Sequence, residues 1–490
     1  MTHYLARNTL GQLNSDVAVP RYDLDAVQIG VVHFGPGAFH RVHQAWCLDR
    51  VLSTDPRWGI CEVSLRSPDV RDALAPQDGL YTIAVRDQTK SHQIIGAIRE
   101  LLVAPESPDA VLARLEAPTT YMVTSTVTEK GYCLGANGRL DFTHPDIRRD
   151  IERPSSPVSL IGYLVEGLRL RREAGVEPFT VISCDNLVDN GLKLANAVIS
   201  LAAVQDSELA EWIKNKVAFP RTMIDSITPA TTDALRAEVA AALGVHDRWP
   251  VQREEFVQWV IEDRFGSPHP DWHAAGVTIT DDVAAYDRAK LRLLNGAHST
   301  LAYVGLLAGY ETVSQAMADP VLAAFVSTMM TRDILPTIKA PRGLDLGAYI
   351  ETILRRFHNP AIRHALAQIA WDGSQKLPFR LLGTIHDSLV VSKPIDRLCV
   401  PLAAWMHFVR RAASRGERVT DPLAPQLLEI GTTCEGRSAT DLPLFLALEK
   451  VFPVAFAADK RFTAALGEAY DRLNNNQGPA VVESLRTWLC

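Results

Sequence analysis

The sequence predicts an α/β fold in its first half joined to a mostly α-helical second half. Three observations carry that expectation. Apolar runs of strand length alternate with segments of helical spacing up to residue 285, the pattern of a parallel sheet flanked by helices. Beyond that point strand candidates almost vanish and apolar residues recur every three or four positions. The first strand-like run also leads directly into a tight turn, Gly35-Pro36-Gly37.

Val27–Phe34 reads as a buried strand, Phe39–Leu52 as a helix, and Ile60–Leu65 as the strand that closes a βαβ unit. Ile94–Ile98, Tyr121–Val127 and Phe179–Ser183 have strand character, and Leu160–Arg172 has helical spacing. From Asp287 onward, Leu291, Leu294, His298, Leu301, Val304 and Ala308 fall on one helix face. Helices are also expected over Leu322–Ile334, Leu346–Phe357, Pro360–Ile369, Ala403–Ala413, Pro443–Phe452 and Phe462–Leu473. Ser388–Val391 is the one strand candidate of this half, and Gly416–Asp421 reads as a surface loop. The expected domains are therefore 1–285 and 286–490.

Composition narrows the function classes. The chain has 490 residues, 47% apolar and 22% charged, enough for two domains with enzyme-sized cores. Its net charge of −7 is spread among interspersed acids and bases, so no nucleic-acid partner is expected. The N-terminus lacks a signal-peptide apolar region, and no run of about 18 apolar residues suggests a membrane span. Seven scattered cysteines without a CxxC argue for reduced thiols in a cytoplasmic protein, and against a disulfide framework or a zinc site.

Two segments could carry chemistry. A dinucleotide loop wants a small residue three positions after its second glycine, and His40 stands there. On spacing alone, a phosphate loop and an ordinary strand–turn–helix are equally compatible. Asp69, after the second strand, could bind ribose hydroxyls, although it lies later than the usual ~20-residue spacing; it could equally cap a turn. The second segment is KLRLLNGAH, Lys290–His298. At about 100° per residue, His298 and Asn295 fall about 80° and about 140° from Lys290, on one side of a helix. A partly buried lysine can accept the proton of an alcohol during its oxidation, and an asparagine N–H can stabilise the developing alkoxide. A solvated lysine, a kink at Asn295-Gly296 and a core histidine fit the same residues. Tyr286 and Lys290 also form Y-x3-K, the spacing of a short-chain dehydrogenase base, but the surrounding pattern differs and the match reads as chance.

Seven segments in order tie these features together: GPGAFHRVHQ (35–44), VTEKGYC (127–133), SCDNLVDNG (183–191), MIDSITP (223–229), QWVIEDRF (258–265), KLRLLNGAH (290–298) and DGSQKLP (372–378). Through nearly its whole length the chain resembles the long-chain mannitol dehydrogenase family, which includes mannitol 2-dehydrogenase and fructuronate reductase. The resemblance implies a Rossmann-type NAD-binding domain, a helical C-terminal domain, and a metal-independent active site between them. It casts Lys290 as general base, Asn186 and Asn295 as the oxyanion pair, and His298 and Asp225 as groups that hold substrate hydroxyls. Asp287 stands where mannitol enzymes have a proton-relaying glutamate. Phe34, Gly35, Pro36, Gly37, Ala38, Phe39, Arg66 and Asp69 form the implied cofactor set, with Pro68 in place of a second acid.

Three implied positions concern substrate. Lys376 fits the family's substrate-side lysine, and Gln368 replaces an arginine of the mannitol 2-dehydrogenases. Lys376 or Arg380 could serve a substrate carboxylate. Ser226 also replaces a family arginine. The expected substrate is therefore a sugar alcohol or a sugar acid oxidised at C2, with NAD as cofactor and the oligomeric state left open. A non-catalytic NAD(H)-binding regulator on the same fold, or a short-chain-type enzyme using Tyr286 and Lys290, are the alternatives.

Overall fold

The structure is a computed structural model that describes residues 3–87, 89–135, 137–474 and 478–489. The chain forms two compact units, one ending at Val283 and the other starting at Ala284.

The first unit is built on five strands: β1 (Ile29–Phe34), β2 (Gly59–Ser64), β3 (Ile98–Val103), β4 (Met122–Ser125) and β5 (Thr180–Ser183). All four pairings are parallel, and the order is β3-β2-β1-β4-β5. This is the doubly wound order of dinucleotide-binding sheets, whose direction of growth reverses between β1 and β4. The strands are near-continuous apolar runs because both sheet faces are covered. Val32 and Phe34 join one core cluster with Leu164, Leu168 and Val198. Val31 joins the opposite cluster with Leu48, Trp58 and Ile182.

Two smaller sheets complete this unit. One holds Val17–Ala18, Lys90–Ile95, Tyr81–Arg86 and Val251–Glu254; the other holds Thr278–Thr280, Gln258–Glu262 and Thr222–Asp225. Most of these strands are short and half polar, so no apolar run marks them in the sequence. The expected strand Ile94–Ile98 is instead the end of one strand and the start of another. Gly96 lies between them, where a Cβ would come within 2.7 Å of Leu24 Cδ2. The first helix is also interrupted: Ala38–Val42 and Gln44–Asp49 are separated at His43, whose φ/ψ of −117°/−86° is not helical.

Among its described residues the second unit is helical apart from turns and one isolated bridge. Leu346–Phe357 forms as expected, and Ala403–Ala413 lies inside the long helix Asp396–Arg415. Ser388–Val391 is not a strand but the tail of the helix Gly383–Val390, its β-branched pair left exposed. Within Pro360–Ile369 only Leu366–Ile369 is helical. Of Pro443–Phe452, the helical part belongs to Ser438–Leu446, which stops before Phe452. Three segments are π-helical: Lys290–Asn295, Met329–Ile334 and Pro378–Leu382. Such insertions cluster at functional sites.

Candidate active site

The turn after β1 sits where the sheet reverses its order. Gly35 has φ +99°, and a Cβ there would lie 2.2 Å from the Thr126 carbonyl oxygen. Only glycine serves at this point. The Gly35 amide donates to the Val63 carbonyl at 3.0 Å, and its own carbonyl accepts from Thr126 Oγ1 at 2.8 Å and from the Gly37 amide at 2.7 Å. The loop is thus tied to both neighbouring strand ends. Gly37 is exposed, and the nearest atom to a Cβ built on it is 3.9 Å away. As the N-cap of Ala38–Val42 it brings no side-chain acceptor, so no side chain caps the first-turn N–H groups of this helix.

His40, the residue that spoils the simple fingerprint, does not face that space. Its side chain is fully buried, stacked on His33 with ring centroids 3.3 Å apart, and its Nε2 lies 2.8 Å from Glu62 Oε1. His33 Nδ1 meets Thr124 Oγ1 at 2.7 Å, while Nε2 meets Thr126 Oγ1 at 2.9 Å and the Gly35 carbonyl at 3.1 Å. Burial drives His40 and Glu62 toward their neutral forms, the imidazole pushed down and the carboxyl up. Arg41 is buried as well, donating to the Trp249 carbonyl at 2.8 Å and lying over the rings of Tyr81 and Trp249. Both residues brace the loop from behind. Glu62 is thereby excluded as a ribose ligand, whereas Arg66 and Asp69 are exposed just beyond the end of β2.

Asn186 and Asp225 lie at the same edge of this unit. Asn186 is exposed beyond β5. Thr222 Oγ1 donates to the Ser183 carbonyl at 2.5 Å, so the strand ending in the buried Asp225 departs from beside the end of β5. Asp185, which the sequence offered only as part of a polar run, is a clasp. Its carboxylate accepts from the amides of Val127 and Thr128 at 3.0 and 2.8 Å and from Tyr132 Oη at 2.6 Å.

In the second unit, Lys290 begins the first π segment and Asn295 ends it. Wider turns of the i→i+5 type bring residue i+5 closer to alignment with residue i than α geometry does. The expected 140° between Lys290 and Asn295 therefore narrows, and the two sit closer to one line. Lys290 and His298 are buried, and Asn295 and Asp287 are half-buried. His298 packs against Phe357 and His364, at 4.7 and 5.1 Å between centroids. Its Nε2 is buried without a hydrogen-bond partner among the described residues. Burial first, and then the nearby His364, Arg380, Arg356 and Lys290, hold its pKa well below the ordinary histidine value.

The DGSQKLP segment is anchored beside this helix. Ser374 donates to Asp421 through its amide and hydroxyl, and a Cβ on Gly373 would lie 2.4 Å from Tyr303 Oη. It carries Lys376, half-buried, and leads into Arg380. Gln368 is exposed on its own short helix. Tyr286 donates its hydroxyl to the Arg342 carbonyl at 2.8 Å, and burial raises its pKa. It is a packing residue rather than a base. His364 and Arg356 are additions that the sequence did not single out, since each lies in a segment read only as a helix and in no motif.

The model of the mannitol dehydrogenase Rossmann domain matches residues 29–274, and that of the mannitol dehydrogenase C-terminal domain matches residues 282–474. The chain belongs to the mannitol dehydrogenase family. It is an oxidoreductase of that family. It is 40% identical to the D-mannonate oxidoreductase of Escherichia coli K12, over 95% of this chain and 97% of that one. It is 36% identical to a mannitol 2-dehydrogenase of Phaeosphaeria nodorum, over 98% and 85%. Among solved structures, Pseudomonas fluorescens mannitol 2-dehydrogenase, in a ternary complex with NAD and D-mannitol, matches with a TM-score of 0.85 at 36% identity over 99% of each chain. A D-sorbitol dehydrogenase in substrate-free form gives 0.89 at 30% identity, over 98% of this chain and all of the other.

Proposed function

We propose that this mannitol dehydrogenase family member oxidises the C2 carbinol of a six-carbon polyol or aldonate, and reduces the corresponding ketone in reverse, with Lys290 as general base. The observation that carries this reading is the π segment, which starts at a buried lysine, ends at an asparagine and leads into a buried histidine with an unpartnered nitrogen.

The cofactor is NAD, which when bound accepts or donates the hydride. Phe34 to Phe39 shape its phosphate turn, and Arg66 and Asp69 flank its ribose. Lys290 Nζ takes the proton of the C2 hydroxyl as its C–H bond breaks. The side-chain amides of Asn186 and Asn295 donate to the oxygen as negative charge grows on it, each worth about 10²–10³ in rate where such donors have been removed. His298 and Asp225 hold the neighbouring hydroxyls, Asp287 passes the proton outward, and Lys376, Gln368 and Arg380 lie on the substrate side.

The test is Lys290→Ala. Removal of a positioned base costs about 10²–10⁴, so kcat is expected to fall by roughly 10³ while NADH affinity in equilibrium titration changes less than about threefold. Near-normal turnover would refute the assignment.

A further inference from the structure

Arg380 is the third residue of the π segment Pro378–Leu382. That segment lies directly against the start of the helix Gly296–Ala308. A Cβ on Gly296 would stand 3.3 Å from the Arg380 carbonyl oxygen. Close contact here places the guanidinium beside His298 and Ser299. Its Nη1 donates to Ser299 Oγ at 3.0 Å, and no carboxylate or carbonyl oxygen takes its other donors among the described residues.

Other arginines set into the fold are treated differently. Arg171 donates to the carbonyls of Glu177, Leu115 and Ala117. Arg253 donates to those of Glu254 and Glu255. Arg397 makes a two-pronged pair with Asp333. A guanidinium withdrawn from water needs such acceptors, because desolvating a charge is costly unless it is paired. Arg380 is half-buried, and its one bonded acceptor among the described residues is a neutral hydroxyl. Burial pushes its pKa down to about 10, and only Tyr303 opposes that shift. Close by, His298 keeps a buried nitrogen without a hydrogen-bond partner among the described residues, and after burial it is His364 and then Arg380 that push its pKa down most.

We infer that Arg380 is the specificity-determining residue that binds a carboxylate at C1 of the substrate, selecting a sugar acid over the matching neutral polyol. The inference rests on the reading of Lys290–His298 as the substrate-handling helix. A planar fork of donors suits a carboxylate, which accepts two parallel N–H bonds. A terminal CH2OH offers one oxygen and no charge, and leaves the guanidinium uncompensated.

The matched probes are D-mannonate and D-mannitol, which differ only at C1. Their dissociation constants are measured by calorimetry on the full chain saturated with NADH, where no turnover occurs. Wild type is expected to favour mannonate by about 100-fold, the scale of a charge-assisted hydrogen-bonded pair. Arg380→Gln is expected to collapse that ratio to within a few-fold of unity, and Arg380→Lys to recover part of it. Lys376→Gln is expected to lower the ratio far less. NADH affinity of each variant reports the fold. If Arg380→Gln loses NADH binding, the Arg380→Lys ratio decides, and it must lie between wild type and unity. A wild type that binds mannitol as tightly as mannonate overturns the inference. So does an Arg380→Gln variant that keeps the wild-type ratio or weakens both ligands equally, or a Lys376→Gln variant that collapses the ratio. Binding needs no base, so these outcomes are independent of the turnover of Lys290→Ala.

Discussion

Each unit of this chain packs a pair of histidines near its candidate site, and the two pairs differ in what surrounds them. Behind the nucleotide turn, His33 and His40 stack on each other, with His33 held by Thr124, Thr126 and the Gly35 carbonyl and His40 set against Glu62. His33 is bonded through both ring nitrogens, and His40 Nε2 faces Glu62 at 2.8 Å, while His40 Nδ1 and Glu62 Oε2 are buried with no hydrogen-bond partner among the described residues. On the helix after Lys290, His298 packs on His364 and keeps a buried Nε2 without a hydrogen-bond partner among the described residues, near the Arg380 guanidinium. Buried polar groups are almost always paired. The first cluster sets its imidazole against a carboxyl of the same unit, while the second sets one beside cationic side chains.

The difference between the two pairs can be pressed from either side. The largest effect is expected on the open side: His298→Asn should lower kcat/KM by about 100-fold. Its unfolding free energy should change by less than about 1 kcal/mol. A large stability loss with intact kinetics would make His298 another bracing residue. On the closed side the pattern reverses. His40→Ala removes a buried ring and leaves Glu62 facing a void, which should cost about 3 kcal/mol in urea unfolding. NADH affinity should stay within about threefold wherever the variant is folded. A tenfold loss of affinity in a stable variant would place His40 in the cofactor site.

The pH dependence sharpens the same contrast. Burial raises Glu62 to about 7 from an ordinary 4.5. A raised folded-state pKa means the native chain holds the proton more tightly than the unfolded one. The stability this group contributes is full below about pH 4.5 and is lost as pH rises through 7. Glu62→Gln lacks that loss, so the stability of wild type minus variant should fall between pH 5 and 7.5. A difference that is flat or rises over this range would contradict a protonated, buried Glu62. The smallest effect is expected for Tyr286→Phe. It removes one hydrogen bond to the Arg342 carbonyl, worth about 1 kcal/mol, and should leave kcat within about twofold. An inactive Tyr286→Phe would revive the tyrosine-base alternative.

Much of the fold could be read from the chain because its requirements are local. β1 is a contiguous apolar run because both faces of a parallel sheet are covered, and a glycine is demanded at 35 by its positive φ. The helix Leu346–Phe357 shows its apolar stripe residue by residue. Misreadings fell where residue type and context disagree. The β-branched pair Val390–Val391 suggested a strand, yet it ends a helix, where both side chains remain in water. Ile94–Ile98 looked continuous because a glycine–alanine pair carries no strong turn signal, although Gly96 is fixed by contact with Leu24.

The site divides along the same line. The sequence by itself determined the two-part architecture, the glycine turn and the set of polar residues on Lys290–His298, because periodicity and backbone φ are properties of neighbours in the chain. Only the tertiary structure decided that His40 turns inward to Glu62, that a π segment sets the spacing from Lys290 to Asn295, and that Arg380 reaches Ser299. Those outcomes depend on which residues, tens of positions apart, arrive as partners. Whether a buried imidazole meets a carboxyl, as His40 does, or cations, as His298 does, is set by those distant partners and not by its neighbours in the chain.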